Sequence, residues 1–245
     1  MKRTVMTIIA AVILPLALNA QDLKVMSYNI RNSAADDGTN SWVYRYASTG
    51  DMIEDQKADV IGLQEAYSDQ VEFIEKNFKD YRHADGFPRI MYNKKTVSVL
   101  KSGEAESMSW ALMKAKNTGK KFYIFNFDLQ HTPEAERKDA LAKKLEVISG
   151  LNKEGLPVVV TGGFCMKPAD SRLADIEAKM SNARKTAPKT DNTGTYNNWG
   201  KNSDIVDHIY YSGFSSCPEY QTVTKRYADR KFVSNHYPII ALLNF

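Results

Sequence analysis

Five polar residues stand at or near the ends of apolar runs in this sequence: Asn29, Glu65, Asp128, Asp207 and His236. Buried strands that deliver carboxylates and an imidazole to one rim bring together groups able to hold a hard cation or move a proton. A further run, Pro157-Val158-Val159-Val160-Thr161-Gly162-Gly163-Phe164-Cys165, carries β-branched residues into a Gly-Gly turn. It reads as a buried strand ending at a surface. Each residue also has a plain structural reading. Glu65 could cap or pair at a strand end, and a lone His236 is more often structural than catalytic. Cys165 fits a buried structural thiol better than a nucleophile. Gly162-Gly163 is a weak phosphate cradle, because no Gly-Lys-Ser/Thr follows it. Asp36-Asp37-Gly38 reads as a turn, and Trp110 and Trp199 as packing residues.

The elements that must position these groups are mostly strands. The pattern predicts strands over 23–30, 59–65, 90–92, 97–100, 110–114, 121–129, 157–163, 205–211 and 237–243. Asn117-Thr118-Gly119-Lys120 predicts a hairpin turn. Residues 31–46 read as a polar loop, followed by a short helix at 51–57. Ser68 can cap a second helix carrying Val71, Ile74 and Phe78. Thr132-Pro133 opens a third, striped by Leu141, Leu145, Ile148 and Leu151, and 170–180 is weakly helical. Strands outnumber helices, which predicts two stacked sheets with helices outside and a site at one rim.

Residues 1–20 have the layout of a secretory signal peptide, with Lys2 and Arg3 ahead of an apolar Val5–Leu18 and Leu18-Asn19-Ala20 before Gln21. The expectation is therefore a secreted or periplasmic protein whose single domain spans 21–245. Its formal charge of +4 falls to +2 without Lys2 and Arg3, and no Lys/Arg stripe marks a nucleic-acid surface. No transmembrane segment is expected after cleavage, and the domain is expected to be a monomer. Cys165 and Cys217 are expected to be unpaired. They sit at and well beyond the same strand end, further apart than the roughly 4–7 Å Cα separation a disulfide allows.

Four motifs in order then resemble one family. Met26-Ser27-Tyr28-Asn29-Ile30-Arg31, Ile61-Gly62-Leu63-Gln64-Glu65, Val206-Asp207-His208-Ile209-Tyr210 and Ser234-Asn235-His236-Tyr237-Pro238-Ile239 surround the Gly163 strand. Together they resemble the endonuclease/exonuclease/phosphatase superfamily, which includes deoxyribonuclease I, apurinic endonucleases, neutral sphingomyelinases and inositol-phosphate phosphatases. Asn40-Ser41-Trp42 with Arg45, and Gly194-Thr195-Tyr196, resemble its secreted bacterial branch. The resemblance implies a four-layer α/β/β/α sandwich of two mostly antiparallel sheets flanked by helices. It implies Glu65 as principal Mg²⁺ ligand, Asn29 as support for metal and phosphate, His236 as the catalytic imidazole and Asp207 as its orienting carboxylate.

Other positions depart from the family pattern. Asn235 stands for a metal-binding Asp, Gly163 and Cys165 for the Asp and Asn of Gly-Asp-Phe-Asn, and Asp128 for a His. The segment 103–110 is short beside the usual substrate-facing loop. A positioned carboxylate contributes about 10²–10⁴ in rate, so its loss at 163 is severe. Mg²⁺ or Mn²⁺ is expected to bind weakly or not at all at Glu65 and Asn235. The leading expectation is a weakly active or inactive relative of Mg-dependent phosphoester hydrolases that binds a phosphorylated small molecule, lipid head group or nucleotide. The alternative is an active metal-dependent phosphodiesterase or phosphatase rewired around Asp128. A purely structural protein ranks last.

Overall fold

The structure, a computed structural model, describes residues 23–245; the signal-peptide reading of 1–20 lies outside the described residues. Two mixed sheets of six strands lie face to face, flanked by helices. The first contains β1 (Leu23–Asn29), β2 (Val60–Gln64), β3 (Tyr81–Ala84), β4 (Ile90–Asn93), β11 (Ser216–Thr222) and β12 (Ile239–Asn244), in the order β11-β12-β1-β2-β4-β3. The second contains β5 (Val97–Ala105), β6 (Met108–Ala115), β7 (Lys121–Asp128), β8 (Val158–Gly163), β9 (Ser181–Asn182) and β10 (Asp207–Ser212), in the order β5-β6-β7-β8-β10-β9. The central pairs β1–β2 and β7–β8 are parallel and their neighbours antiparallel.

Period-two alternation builds the layers. On β7, Phe122 and Ile124 enter the core between the sheets, with Val25, Val60, Val159 and Ile209. Phe125 and Phe127 face the other way, against Leu141, Leu145 and Ile148 of helix α3 (Arg137–Leu151). Met26, Tyr28, Ile61 and Leu63 pack under α1 (Trp42–Gln56) and α2 (Ser68–Asn77). Each of these buried side chains contributes roughly 1.5–3 kcal/mol, so the strand ends rest on a rigid base.

Several predicted bounds move. The polar loop ends at Trp42, where α1 begins, because its buried stripe includes Arg45, Ser48 and Thr49 rather than apolar residues alone. Tyr67, not Ser68, stands before α2, closed by Gln70. Helix α3 starts at Arg137 after a single 3₁₀ turn, so Thr132 does not cap it. The weak helix resolves into a 3₁₀ turn and α4 (Ala174–Glu177). Residues 103–110 are not a free loop but the tip of the β5–β6 hairpin, with Glu106 and Ser107 turning at φ 50° and 51°. Strands β3, β9 and β11 were not expected, and β11 places Cys217 in the first sheet. Both cysteines are free.

Candidate active site

The C-terminal ends of β1, β2, β7 and β8 meet the start of β10 at one rim. Register does the positioning: Asn29 pairs with Gln64, Asp128 with Gly163, and Gly163 with Asp207. Asp128, Gly163 and Asp207 therefore stand side by side on adjacent strands. A buried amide network ties the two sheets together beneath them. Gln64 Nε2 donates to Asn126 Oδ1 (2.7 Å), and Asn126 Nδ2 donates to the carbonyls of Leu63 (2.9 Å) and Arg89 (3.0 Å). At Gly62 the sheets come so near that a Cβ would lie 2.0 Å from Thr161 Oγ1.

Glu65 follows β2 in the left-handed region, φ 59°. Its Oε1 accepts from Asn29 Nδ2 (3.0 Å) and its Oε2 from Asn32 Nδ2 (2.9 Å), with the Arg31 guanidinium 3.7 Å away. Burial pushes its pKa up, but these hydrogen bonds and the Arg31 charge outweigh that and hold it below the usual range. Arg31 itself is forked onto Asp37 (2.9 and 3.2 Å), so Asp36-Asp37-Gly38, which leads into a 3₁₀ turn over Gly38–Asn40, anchors an arginine.

His236 and Asp207 form a buried pair, Nδ1 to Oδ2 at 2.8 Å. The Nδ1–H donating to the carboxylate leaves Nε2 as the free ring nitrogen. Burial alone would lower the His236 pKa, but the Asp207 charge and hydrogen bond raise it above its ordinary value. Thr195 Oγ1 accepts from the Asp207 backbone N–H (3.1 Å) and the Thr195 carbonyl from Tyr237 N–H (2.7 Å), so one residue fixes both members. The other oxygen of Asp207, Oδ1, is buried without a partner among the described residues.

Asp128 leans over Gly163. A Cβ built on Gly163 would meet Asp128 Oδ1 at 2.8 Å and Asp207 Oδ1 at 3.7 Å, so Asp128 fills the space a side chain at 163 would need. Burial, with smaller pushes from Glu65 and Asp207, raises the Asp128 pKa to about 6. Cys165 is pushed by burial to about 12, which keeps the thiol protonated and removes it as a nucleophile.

Two hollows flank these groups. A slot of about 280 Å³ contains Glu65, Asp128, Glu104 and His131 between Tyr67 and Phe87. A cleft of about 730 Å³ contains His236, Asn235, Arg31, Arg137, Lys201, Tyr196 and Trp199. Among the predicted site residues, Glu65 joins Asn29 and Asp128, and Asp207 joins His236. Asn235 lines the cleft, its Oδ1 accepting from Ser234 Oγ (3.2 Å).

The sequence assigned no role to Asn32 or Gln64, and marked Arg45 only as part of a motif resembling the secreted bacterial branch. Arg45 is fully buried and donates to the carbonyls of Ile30 (2.6 Å), Arg31 (2.5 Å) and Val233 (3.1 Å), clamping the Asn29 and His236 segments together. An arginine three residues after Trp42, in a helix facing the sheet, was the available signal.

The implied Mg²⁺ or Mn²⁺ does not fit this donor set. Both oxygens of Glu65 are engaged by amides, a guanidinium already stands beside it, and positions 163 and 235 supply no carboxylate. Among the described residues, no group of three or more His, Cys, Asp or Glu is arranged to hold a metal. Of the two expected ligand positions, Glu65 alone supplies a carboxylate and 235 a neutral amide, where a divalent cation favours carboxylates.

Residues 26–236 match the profile of the Endonuclease/Exonuclease/phosphatase family. No curated protein matches the sequence. Among solved structures, the chain is similar to an endonuclease/exonuclease/phosphatase family protein from Bacteroides thetaiotaomicron, at 22% identity and TM-score 0.82, over 91% of this chain and 98% of that one. It is similar to the mannosyl-6-phosphatase of Bacteroides thetaiotaomicron VPI-5482, at 22% identity and TM-score 0.83, over 91% and 100%. It is also similar to the human nocturnin catalytic domain, at 16% identity and TM-score 0.72, over 93% and 95%.

Proposed function

The chain belongs to the endonuclease/exonuclease/phosphatase family, whose enzymes typically depend on a divalent metal, and from that premise we propose a secreted protein that binds a phosphorylated small molecule and hydrolyses it slowly or not at all. The observation that carries this reading is the contrast at the rim. Arg31, Arg137 and Lys201 gather beside the Asp207–His236 pair, while Glu65 has its oxygens satisfied by Asn29 and Asn32. Cations around a histidine suit a phosphate, and Arg in particular matches its oxygens. That one structural neighbour is a mannosyl-6-phosphatase supports a small phosphomonoester as the ligand.

Calorimetric titration with inorganic phosphate tests the binding, and turnover of p-nitrophenyl phosphate and bis-p-nitrophenyl phosphate, with Mg²⁺, Mn²⁺ or chelator, tests the chemistry. Binding with slow turnover that is insensitive to these ions is the expected result. No binding at millimolar phosphate would overturn it. Export is checked by fractionation of cells expressing the full chain.

One observation favours a second reading, an active hydrolase. Asp128 places a carboxylate where a residue at 163 would hold a water, and with a pKa of about 6 it is mostly ionised at neutral pH. In that reading Asp128 orients the water and His236 Nε2 exchanges the proton. Rapid turnover that Asp128→Asn lowers by about 10² or more would establish it in place of the first.

A further inference from the structure

Trp199 is a large aromatic side chain that the fold does not use for its core. It joins none of the three buried clusters, yet it lines the cleft that holds His236. The backbone that presents it is strained: Asn198, Trp199 and Gly200 all lie in the left-handed region, at φ 41°, 56° and 92°. Two consecutive non-glycine residues there cost about 1–2 kcal/mol each. The conformation is held by Asn197, which is buried. Its Oδ1 accepts from Trp199 N–H (2.9 Å) and its Nδ2 donates to the Ser234 carbonyl (3.1 Å). The N–H groups of Asn197 and Asn198 both donate to the Asn235 carbonyl (2.9 and 3.0 Å). The indole is thereby tied to the segment carrying His236, and strain maintained at a cleft wall marks a presented side chain.

The rest of the cleft says what the indole would face. Arg137 has no carboxylate partner among the described residues; it is braced by the carbonyls of Thr132 (3.2 Å) and Cys165 (2.7 Å). Lys201 is exposed and likewise free of an acid among the described residues. Asn40 and Gln130 add amide groups to the wall. An aromatic face for ring C–H groups, amides for hydroxyls and unpaired cations for a phosphate are the chemistry of a phosphorylated sugar. Resting on the proposed phosphate-binding function, we propose that Trp199 is the platform on which the sugar ring of a hexose phosphate lies, with the phosphate at Arg137 and Lys201. Trp199 is then a specificity determinant, separating sugar phosphates from bare phosphate.

Calorimetric titration of the full chain with inorganic phosphate, glucose 6-phosphate, mannose 6-phosphate and AMP tests this, using the parent, Trp199→Ser and Trp199→Phe. At least one hexose phosphate should bind about tenfold or more tighter than inorganic phosphate. Trp199→Ser should remove that increment while leaving inorganic phosphate affinity unchanged, and Trp199→Phe should restore most of it. Circular dichroism checks each fold, and the Phe variant serves if the Ser variant is unfolded. Hexose phosphates binding no tighter than inorganic phosphate would overturn the platform and leave the phosphate-binding function standing. Tighter binding of AMP than of either sugar would overturn the sugar assignment. No binding of any of the four ligands would overturn both.

Discussion

Asp128→Asn should stabilise the protein at pH 8 and leave its stability unchanged at pH 3.5. The Asp128 pKa is raised from 3.8 to about 6, chiefly by burial, which outweighs the lowering pull of the Gln130 N–H; Glu65 and Asp207 add smaller pushes up and His236 a smaller pull down. A raised carboxylate pKa means the folded state holds the proton more tightly than the unfolded chain does. Below pH 4 both states are protonated and the group is neutral in the balance. Between about pH 4 and 6 stability falls as pH rises, and above 6 the full cost is present. Two pKa units correspond to about 3 kcal/mol; Asp128 is only partly buried, so screening reduces this to about 1–3 kcal/mol. Asn removes the charge yet keeps an oxygen for the Gln130 N–H, which Asp128 Oδ1 now accepts at 2.9 Å. For a domain of this size the gain is about 2–12 °C in Tm at pH 8. Calorimetric melting at both pH values measures it, with exposed Asp175→Asn as the control that should not move. Equal melting of parent and variant at pH 8, or an equal gain at both pH values, would refute the reasoning.

Three further outcomes follow from the same geometry. Gly163→Asp should destabilise by about 2–4 kcal/mol in urea melts through overpacking against Asp128 and the crowding of acids, and adding Asp128→Ala should recover at least half; an undiminished Gly163→Asp protein would sink the steric argument. Asp207→Asn should lower the His236 pKa in an NMR titration, since burial would then be opposed only by the weaker charges of Glu65 and Asp128, and the stability the pair supplies below about pH 6.5, lost as pH rises through the raised folded value, should go with it; a pKa that stays up would show that the pair is not what raises it. Thiol titration at pH 8 should find neither cysteine reactive in the folded protein and both reactive once unfolded, because burial holds Cys165 near 12 and Cys217 near 11; a fast native thiol would contradict this.

What could be read from the sequence divides along physical lines. Strands such as Val158-Val159-Val160 declare themselves because β-branched runs have few other fates, and their polar ends name the candidates for the rim. Helix α1 was half hidden because Arg45, Ser48 and Thr49 are buried through hydrogen bonds to main-chain carbonyls, which no apolar stripe reveals. Strand β11 was hidden by Pro218, Glu219 and an irregular register. Asn32 gave no signal because its bond to Glu65 depends on how a loop folds back.

Gly163 shows the deeper limit. Read one position at a time, the family pattern records a carboxylate lost at 163 and a histidine lost at 128. The parallel pairing of Asp128 with Gly163 makes these two changes one. The Asp128 carboxylate stands one strand, about 4.8 Å, to the side of position 163 and leans over it. It can do so only because 163 is glycine, whose φ lies outside the positive region, so the constraint is the neighbour and not the backbone. An acid restored at 163 would therefore meet the acid at 128 before it met any ligand. The lost and gained groups have to be exchanged together, and that coupling resides in the register of two strands, 35 residues apart in sequence.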